Sequence, residues 1–267
     1  MFREQLTITT WLALGAVAQS LAYILVGRIA LLPALAYIIA TAANASAIAA
    51  GWKHNPMMDD LIMQKISTAF PDGEGNYGDK PADTSLAVLI IGFRNNHPLS
   101  IFAPGVKQIG DYFAQMIKDL EAHDEEFGLM GITSWVNTAD RKTQNESMNI
   151  CYFKNVEGIH AFAHSDYHMK AWKWWNVYFK QWSHMSIYHE IYSVPKGHWE
   201  SIYVNSHING LPSTRVKGDD GLWRSPIVSA STGLLKTSAG RMSRSKAEDH
   251  DNLGFIDPYA TAEKSGL

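Results

Sequence analysis

Gly158 to Trp182 reads GIHAFAHSDYHMKAWKWWNVYFKQW, and the way this stretch folds decides the reading of the whole chain. At 100° per residue His160, His164 and His168 fall within about 80° of one another, and Ala171, Trp175, Tyr178, Phe179 and Trp182 lie on roughly the same side. Asp166, Lys170, Lys173 and Lys180 lie opposite, and Trp174 faces that polar side with the lysines. The pattern predicts one amphipathic helix whose buried stripe begins with imidazoles and ends with large aromatics. Imidazole is placed inside a protein for proton transfer, for metal or haem ligation, or for one specific hydrogen bond, so the stripe is the first candidate for an active site.

Working outward, Met148 to Phe153 before this helix and Met185 to Val194 after it read as strands. Ser85 to Phe93 (SLAVLIIGF) reads as a buried strand with a turn at Asn95 to Pro98. Val106 to Leu120 carries Ile109, Tyr112, Phe113, Met116, Ile117 and Leu120 at helical spacing. Leu129 to Val136 is a further strand, joined to the next by the polar stretch Asn137 to Ser147, and Trp199 to Val204 is a short edge strand. The order β-α-β-β-α-β is that of the ferredoxin-like split unit, an α+β fold in which an antiparallel sheet carries both helices on one face. Apolar residues such as Ile132 and Ile150 are expected on both faces, so the open face predicts a second copy over it: a homodimer forming a dimeric α+β barrel.

The N-terminal segment differs from the rest. No charged residue occurs from Gln5 to Gly27 or from Ile29 to Trp52, and about 20 apolar residues span a bilayer core. Residues 1–52 therefore predict a transmembrane hairpin of two helices turning at Arg28. A cleaved signal peptide leaves the second apolar stretch without a use. Arg3, Lys53 and His54 outweigh Arg28, which places the main domain on the cytosolic side, at the endoplasmic reticulum. Asn44-Ala-Ser46 and Asn145-Glu-Ser147 match the glycosylation pattern without overturning that placement, the first lying inside an apolar span. Residues 53–84, with Pro56, Pro71, Gly73, Gly75, Gly78 and Pro81, read as a linker, 85–210 as the domain, and 211–267 as a partly disordered extension with little fixed structure past Leu235. Trp223, Pro226 and Ile227 are the residues by which that extension reaches a pocket mouth.

A net charge of −3 with no basic run excludes a nucleic-acid surface, and a 46% hydrophobic content is globular. Cys151 is the single cysteine, which excludes an intramolecular disulfide and a thiolate zinc site; it reads as a buried small hydrophobe. There is no GxGxxG after a strand, no GxxxxGK[ST], no HExxH and no GxSxG, so nucleotide-binding and hydrolase readings lack their machinery. His189-Glu190 on the last strand point to opposite faces, and His189 is the one assigned to the pocket.

Three roles compete for the histidines. A single metal reaches an i, i+4 pair but not i+8, and no carboxylate shares the face. A haem takes one histidine as axial ligand, with Trp175 and Phe179 as walls. A metal-free acid/base site uses a near-neutral imidazole to deprotonate an activated substrate among water-excluding aromatics. The candidate catalytic residues are His164, His160, His168 and His189. His164, the middle one, is expected to matter most and is the iron ligand if haem is bound. Trp175, Phe179, Arg94 and Glu190 are the expected pocket residues, with Arg94 facing an acidic group.

Four segments together carry a family likeness: GFRNNHPL after the first strand, GIHAFAHSDYHMKAWKWWN, YHEIYSVPKGHWESIYVN, and GLWRSPIV followed by Gly240-Arg241. From about Ser85 to Arg241 the chain resembles fungal membrane-associated monooxygenase-like proteins related to the antibiotic-biosynthesis monooxygenases. The resemblance implies a dimeric α+β barrel, membrane anchoring and an oxidoreductase of secondary metabolism acting on a small apolar substrate such as a terpenoid or polyketide. The wider superfamily includes cofactor-free oxygenases and haem enzymes, so the cofactor stays open between haem and none, with molecular oxygen as co-substrate. A haem lyase of the aldoxime dehydratase kind and a non-catalytic membrane-bound ligand carrier are the alternative readings.

Overall fold

The computed structural model describes residues 6–78, 80–137 and 146–244. The chain divides into two compact units, the first running to Leu61 and the second beginning at Ile62. Arg3, Asn145 of the second glycosylation pattern and the tail beyond Arg244 lie outside the described residues.

In the first unit, α1 (Ile8–Val26) and α2 (Leu32–Ala49) are joined by a 3-10 turn at Gly27–Leu31. Thr7 caps α1 by accepting from the Thr10 amide, and Gly27 closes it at φ 66°, a conformation open to glycine. The helical segment Ile8–Ala49 is long and apolar enough to cross a membrane, and almost all of it is exposed.

The second unit opens with β1 (Ile62–Thr68) and continues through β2 (Leu86–Asn95), α3 (Val106–Ala122), α4 (Asp124–Phe127), β3 (Leu129–Val136), β4 (Glu146–Phe153), α5 (Val156–His164), α6 (Asp166–Tyr178) and β5 (Met185–Val194). Short pieces follow: β6 (Tyr203–Ser206), β7 (Val216–Lys217), β8 (Trp223–Arg224), β9 (Ile227–Ser229) and α7 (Ser238–Arg241). The main sheet has the order β3-β4-β2-β5 with every neighbour antiparallel, the ferredoxin-like arrangement expected of β-α-β-β-α-β. Its centre is β2, whose residues 87, 89 and 91 face the helices and 86, 88 and 90 the other side, so both faces need apolar side chains.

On the helix side Ala87, Leu89, Cys151 and Phe153 meet Leu120, Phe127, Ile159 and Phe162 in one core. The second face is not left entirely for a partner. At the Leu86 end the chain covers it with its own Ala82, Trp199 and Leu211, packed on Leu86, Val88, Tyr152 and Val194. Toward the other end that face is polar: Glu146 accepts from Tyr188 Oη at 3.1 Å, Arg94 Nη1 at 3.3 Å and Asn137 Nδ2 at 2.8 Å. Gly92 is required beneath this group, because a Cβ there meets the Tyr188 ring at 2.5 Å.

Two boundaries read from sequence are corrected. The stretch 53–84 is not only linker: β1 lies in it and forms the middle of a small sheet of order β6-β1-β9, so that Gly73-Glu-Gly-Asn-Tyr-Gly78, a GxGxxG match, does follow a strand, but the next element is β2 and not the helix that a dinucleotide site requires. The polar residues of β1 concealed it, since Lys65, Ser67 and Thr68 are all buried, Lys65 donating to the Lys236 carbonyl at 2.8 Å and Ser67 to the Ser201 carbonyl at 2.7 Å. The edge strand expected over Trp199 to Val204 is β6, and it joins this small sheet rather than the main one.

Nor does order end at Leu235. Arg241, at 6% exposure, pairs with Glu200 through Nε and donates from Nη1 to the Leu235 carbonyl at 3.0 Å, while Ser238 donates to Glu200 at 2.9 Å. Replacing Arg241 by Met leaves Glu200 without its cation, and thermal unfolding is expected to show a loss of about 2 kcal/mol, roughly 4–8 °C. An unchanged midpoint would show that this strap adds nothing to stability.

Candidate active site

The predicted continuous helix is two helices. Asn155 caps α5 by accepting from the Gly158 amide at 2.9 Å, and the helix runs only to His164. Ser165 is extended (φ −72°, ψ 159°) and its hydroxyl turns back to the Phe162 carbonyl at 2.7 Å; α6 then starts without a side-chain cap. Ser-Asp is cap chemistry inside an otherwise periodic pattern, and the break it makes ends the common register of the three histidines.

The consequence separates them. His160 and His164 are exposed on α5, with His164 Nδ1 bonded to the His160 carbonyl at 2.7 Å. His168, on the first turn of α6, is half-buried and lines a cavity of about 20 Å³ between α3 and the sheet, with Leu89, Ile91, Met116, Cys151 and Phe162. That volume holds one water-sized group. His168 Nδ1 donates to the Ala163 carbonyl at 2.8 Å, which leaves Nε2 as the lone-pair nitrogen of the neutral ring. Burial is the main cause that pulls its pKa below the usual imidazole value; the Ala163 bond opposes this and the nearby His189 and His164 reinforce it.

His189 stands opposite Ile91 on β5, on the helix side of the sheet, as expected from its alternation with Ile187 and Ile191. Arg94 and Glu190 stand on the other face with Tyr188, so they do not share a site with His168. Glu190 accepts there from Tyr192. Trp175 and Phe179 do not line the cavity; with Trp172 they continue the flank of α6 that begins at His168, at i, i+4, i+7 and i+11. Trp172, Phe179, Ile187 and Ile191 all remain exposed, although they are large apolar side chains. Trp174, read from sequence on the polar side, packs instead on Tyr112 of α3 at 5.0 Å and on Trp182 at 5.5 Å.

Burial and then Glu121 push the Cys151 thiol up to about 12, so it carries no thiolate and is the buried hydrophobe expected. A haem does not fit the enclosed space beside His168: small-molecule pockets run to roughly 300–1,000 Å³, and no cationic side chain lines this one to hold propionates. His164, the expected axial ligand, does not reach the cavity. Sequence reasoning also missed a pair: Tyr167 Oη and His123 Nε2 lie 2.8 Å apart, linking α6 to the end of α3. His123 sits among acidic residues after a helix and carries no pattern that marks it.

Residues 86–211 match the sequence model of the Monooxygenase af470-like family. Monooxygenase af470 of Aspergillus fumigatus is 31% identical over 247 residues, covering 90% of this chain and 89% of that protein. Among solved structures, an aldoxime dehydratase in complex with butyraldoxime is similar with a TM-score of 0.43 at 14% identity, covering 56% of this chain and 39% of its own. SnoaB, a cofactor-independent oxygenase from Streptomyces nogalater, is similar with a TM-score of 0.30 at 10% identity, covering 42% and 96%.

Proposed function

Because the chain belongs to the Monooxygenase af470-like family, and is therefore an oxidoreductase of the monooxygenase type, we propose that it is membrane-anchored and oxidises an apolar secondary metabolite, a terpenoid or a polyketide. The observation that carries this reading is His168, whose Nε2 is left unprotonated by the Nδ1 bond to Ala163 and whose ring lines an apolar cavity. A water-poor setting favours the neutral imidazole, the form able to accept a proton. The substrate lies along the α6 flank of Trp172, Trp175 and Phe179 and over Ile187 and Ile191, with an activated C–H at Nε2.

His168 takes that proton, the carbanion passes its electrons to molecular oxygen, and the peroxide anion so formed takes the proton back from the His168 imidazolium. The resulting hydroperoxide loses water and leaves a carbonyl, so one oxygen atom enters the substrate and the other departs as water. Four electrons come from the CH₂ carbon and four are accepted by O₂. No other redox group enters this balance. His189, exposed on the neighbouring strand, bears on this step only through its charge, which disfavours a protonated His168 and so favours return of the proton to the peroxide. Oxygen uptake coupled to a mass gain of 14 Da, about the change for CH₂ to C=O, supports the reading; dehydration or an unchanged ligand contradicts it.

The helical segment Ile8–Ala49 supports anchoring, with α1 and α2 as the two spans of a hairpin and the catalytic unit on the cytosolic side of the endoplasmic reticulum. A second copy seated on the polar end of the sheet's second face completes a homodimer. Deletion of residues 1–52 is expected to move the protein from the membrane pellet to the soluble fraction. Full-length protein that stays soluble without detergent would sink the anchor.

A further inference from the structure

We propose that Tyr167 and His123 form the positioning device of the site, fixing the first turn of α6 so that the His168 ring, which lines the cavity, keeps one orientation and presents Nε2 in one direction. The inference rests on the reading of His168 as the reacting base. The first turn of α6 follows the break at Ser165 and has no side-chain cap, so two tertiary ties replace one. On one side His168 reaches back across the break to the Ala163 carbonyl at 2.8 Å and lies 6.0 Å from the Phe162 ring. On the other, the adjacent Tyr167 bonds His123 Nε2 at 2.8 Å, with the rings 4.4 Å apart.

His123 is itself held. Its Nδ1 donates to the Asp119 carbonyl at 2.8 Å, so in the neutral ring Nε2 is the acceptor and the Tyr167 hydroxyl the donor. Phe127 closes the circuit, packing on Phe162 at 5.3 Å and on Tyr167 at 6.3 Å. Consecutive residues of α6 are thereby pulled to opposite sides, and the ring of His168 has one orientation. Neither Tyr167 nor His123 lines the cavity, so both act through His168 rather than on substrate.

The test uses the full chain and needs no substrate: site-resolved acylation of histidines by diethyl pyrocarbonate, read by peptide mass spectrometry. Tyr167→Phe removes only the hydroxyl and is expected to raise the rate at His168 by about three- to tenfold, the factor one net hydrogen bond supplies, with exposed His54 and His207 unchanged. His123→Gln offers an amide oxygen to the same hydroxyl and is expected to stay within about twofold of the parent. His123→Leu leaves the Tyr167 hydroxyl free to reach water and serves if Tyr167→Phe does not fold. An unchanged His168 rate in Tyr167→Phe or His123→Leu overturns the proposal. Failure of the base reading shows separately, in the turnover of His168→Gln.

Discussion

His168→Gln is expected to lower turnover by about 10²- to 10⁴-fold, the usual worth of a general acid or base, while the domain stays folded. Glutamine is close in size and keeps a donor for the Ala163 carbonyl, but it has no nitrogen able to take a proton. His164→Ala and His160→Ala are expected to cost far less, because both side chains are exposed and neither lines the cavity. The pH profile gives the sign. The active form is the neutral ring, and burial lowers the pKa of His168, so the base form persists as pH falls below the ordinary imidazole value. The acidic limb of the rate is therefore displaced downward, and in His168→Gln that limb disappears. A limb at the ordinary imidazole position or above would assign the proton to another group.

Gly158→Val is expected to have the largest effect on stability. A Cβ at residue 158 meets the Phe127 carbonyl oxygen at 2.0 Å and its carbon at 3.0 Å, and backbone atoms cannot rotate away. The glycine lets α5 touch the end of α4, which places Phe162 on Phe127 in the core beneath His168. A branched side chain pushes α5 outward and opens that core. The loss is expected to be at least about 3 kcal/mol, or roughly 6–12 °C in the unfolding midpoint. Gly128→Ala tests the opposite case. Its added Cβ has only ordinary 3.5 Å contacts with Lys154, so the moderate cost expected comes from the positive φ of 65°. If Gly158→Val unfolds no earlier than the parent, the close approach of α5 to α4 is not what holds this side of the sheet.

The sheet was legible because alternation and turn residues act locally. SLAVLIIGF is apolar on both faces, as a central strand must be, and the four strands follow in the order their pairing requires. β1 was hidden for a physical reason: its buried positions include Lys65 and Ser67, which donate to carbonyls, and Thr68, which accepts from the Ser201 hydroxyl, all from partners more than a hundred residues away in sequence. No local pattern reports such a partner. The histidine register failed at one residue. Periodicity continued smoothly through Ser165, but Ser-Asp supports a helix start as well as it tolerates a helix interior, and tertiary packing chose the start. That choice turned His168, rather than His164, toward the sheet.

The aromatic residues show the same limit. Trp174 was assigned to the polar side from a single helical phase begun at Gly158, and restarting the phase at Asp166 turns it onto Tyr112 of α3. Arg94 and Glu190 were expected in the pocket because both lie near strand ends or histidines in sequence. The pairing of β2 with β4 and β5 puts them on the face away from the helices. Parity along a strand was readable, but which face carried the cavity was not.

The most direct measurement is the fate of oxygen. The full-length protein in detergent or nanodiscs is incubated under ¹⁸O₂ with the intermediate that accumulates when the chain is deleted from its source, and the product is weighed alongside that of His168→Gln. The parent is predicted to place one ¹⁸O atom in the product and the second in water, and the variant to form that product at least about a hundredfold more slowly. Product without ¹⁸O, or full-rate labelling by His168→Gln, would contradict an oxygenase whose base is His168.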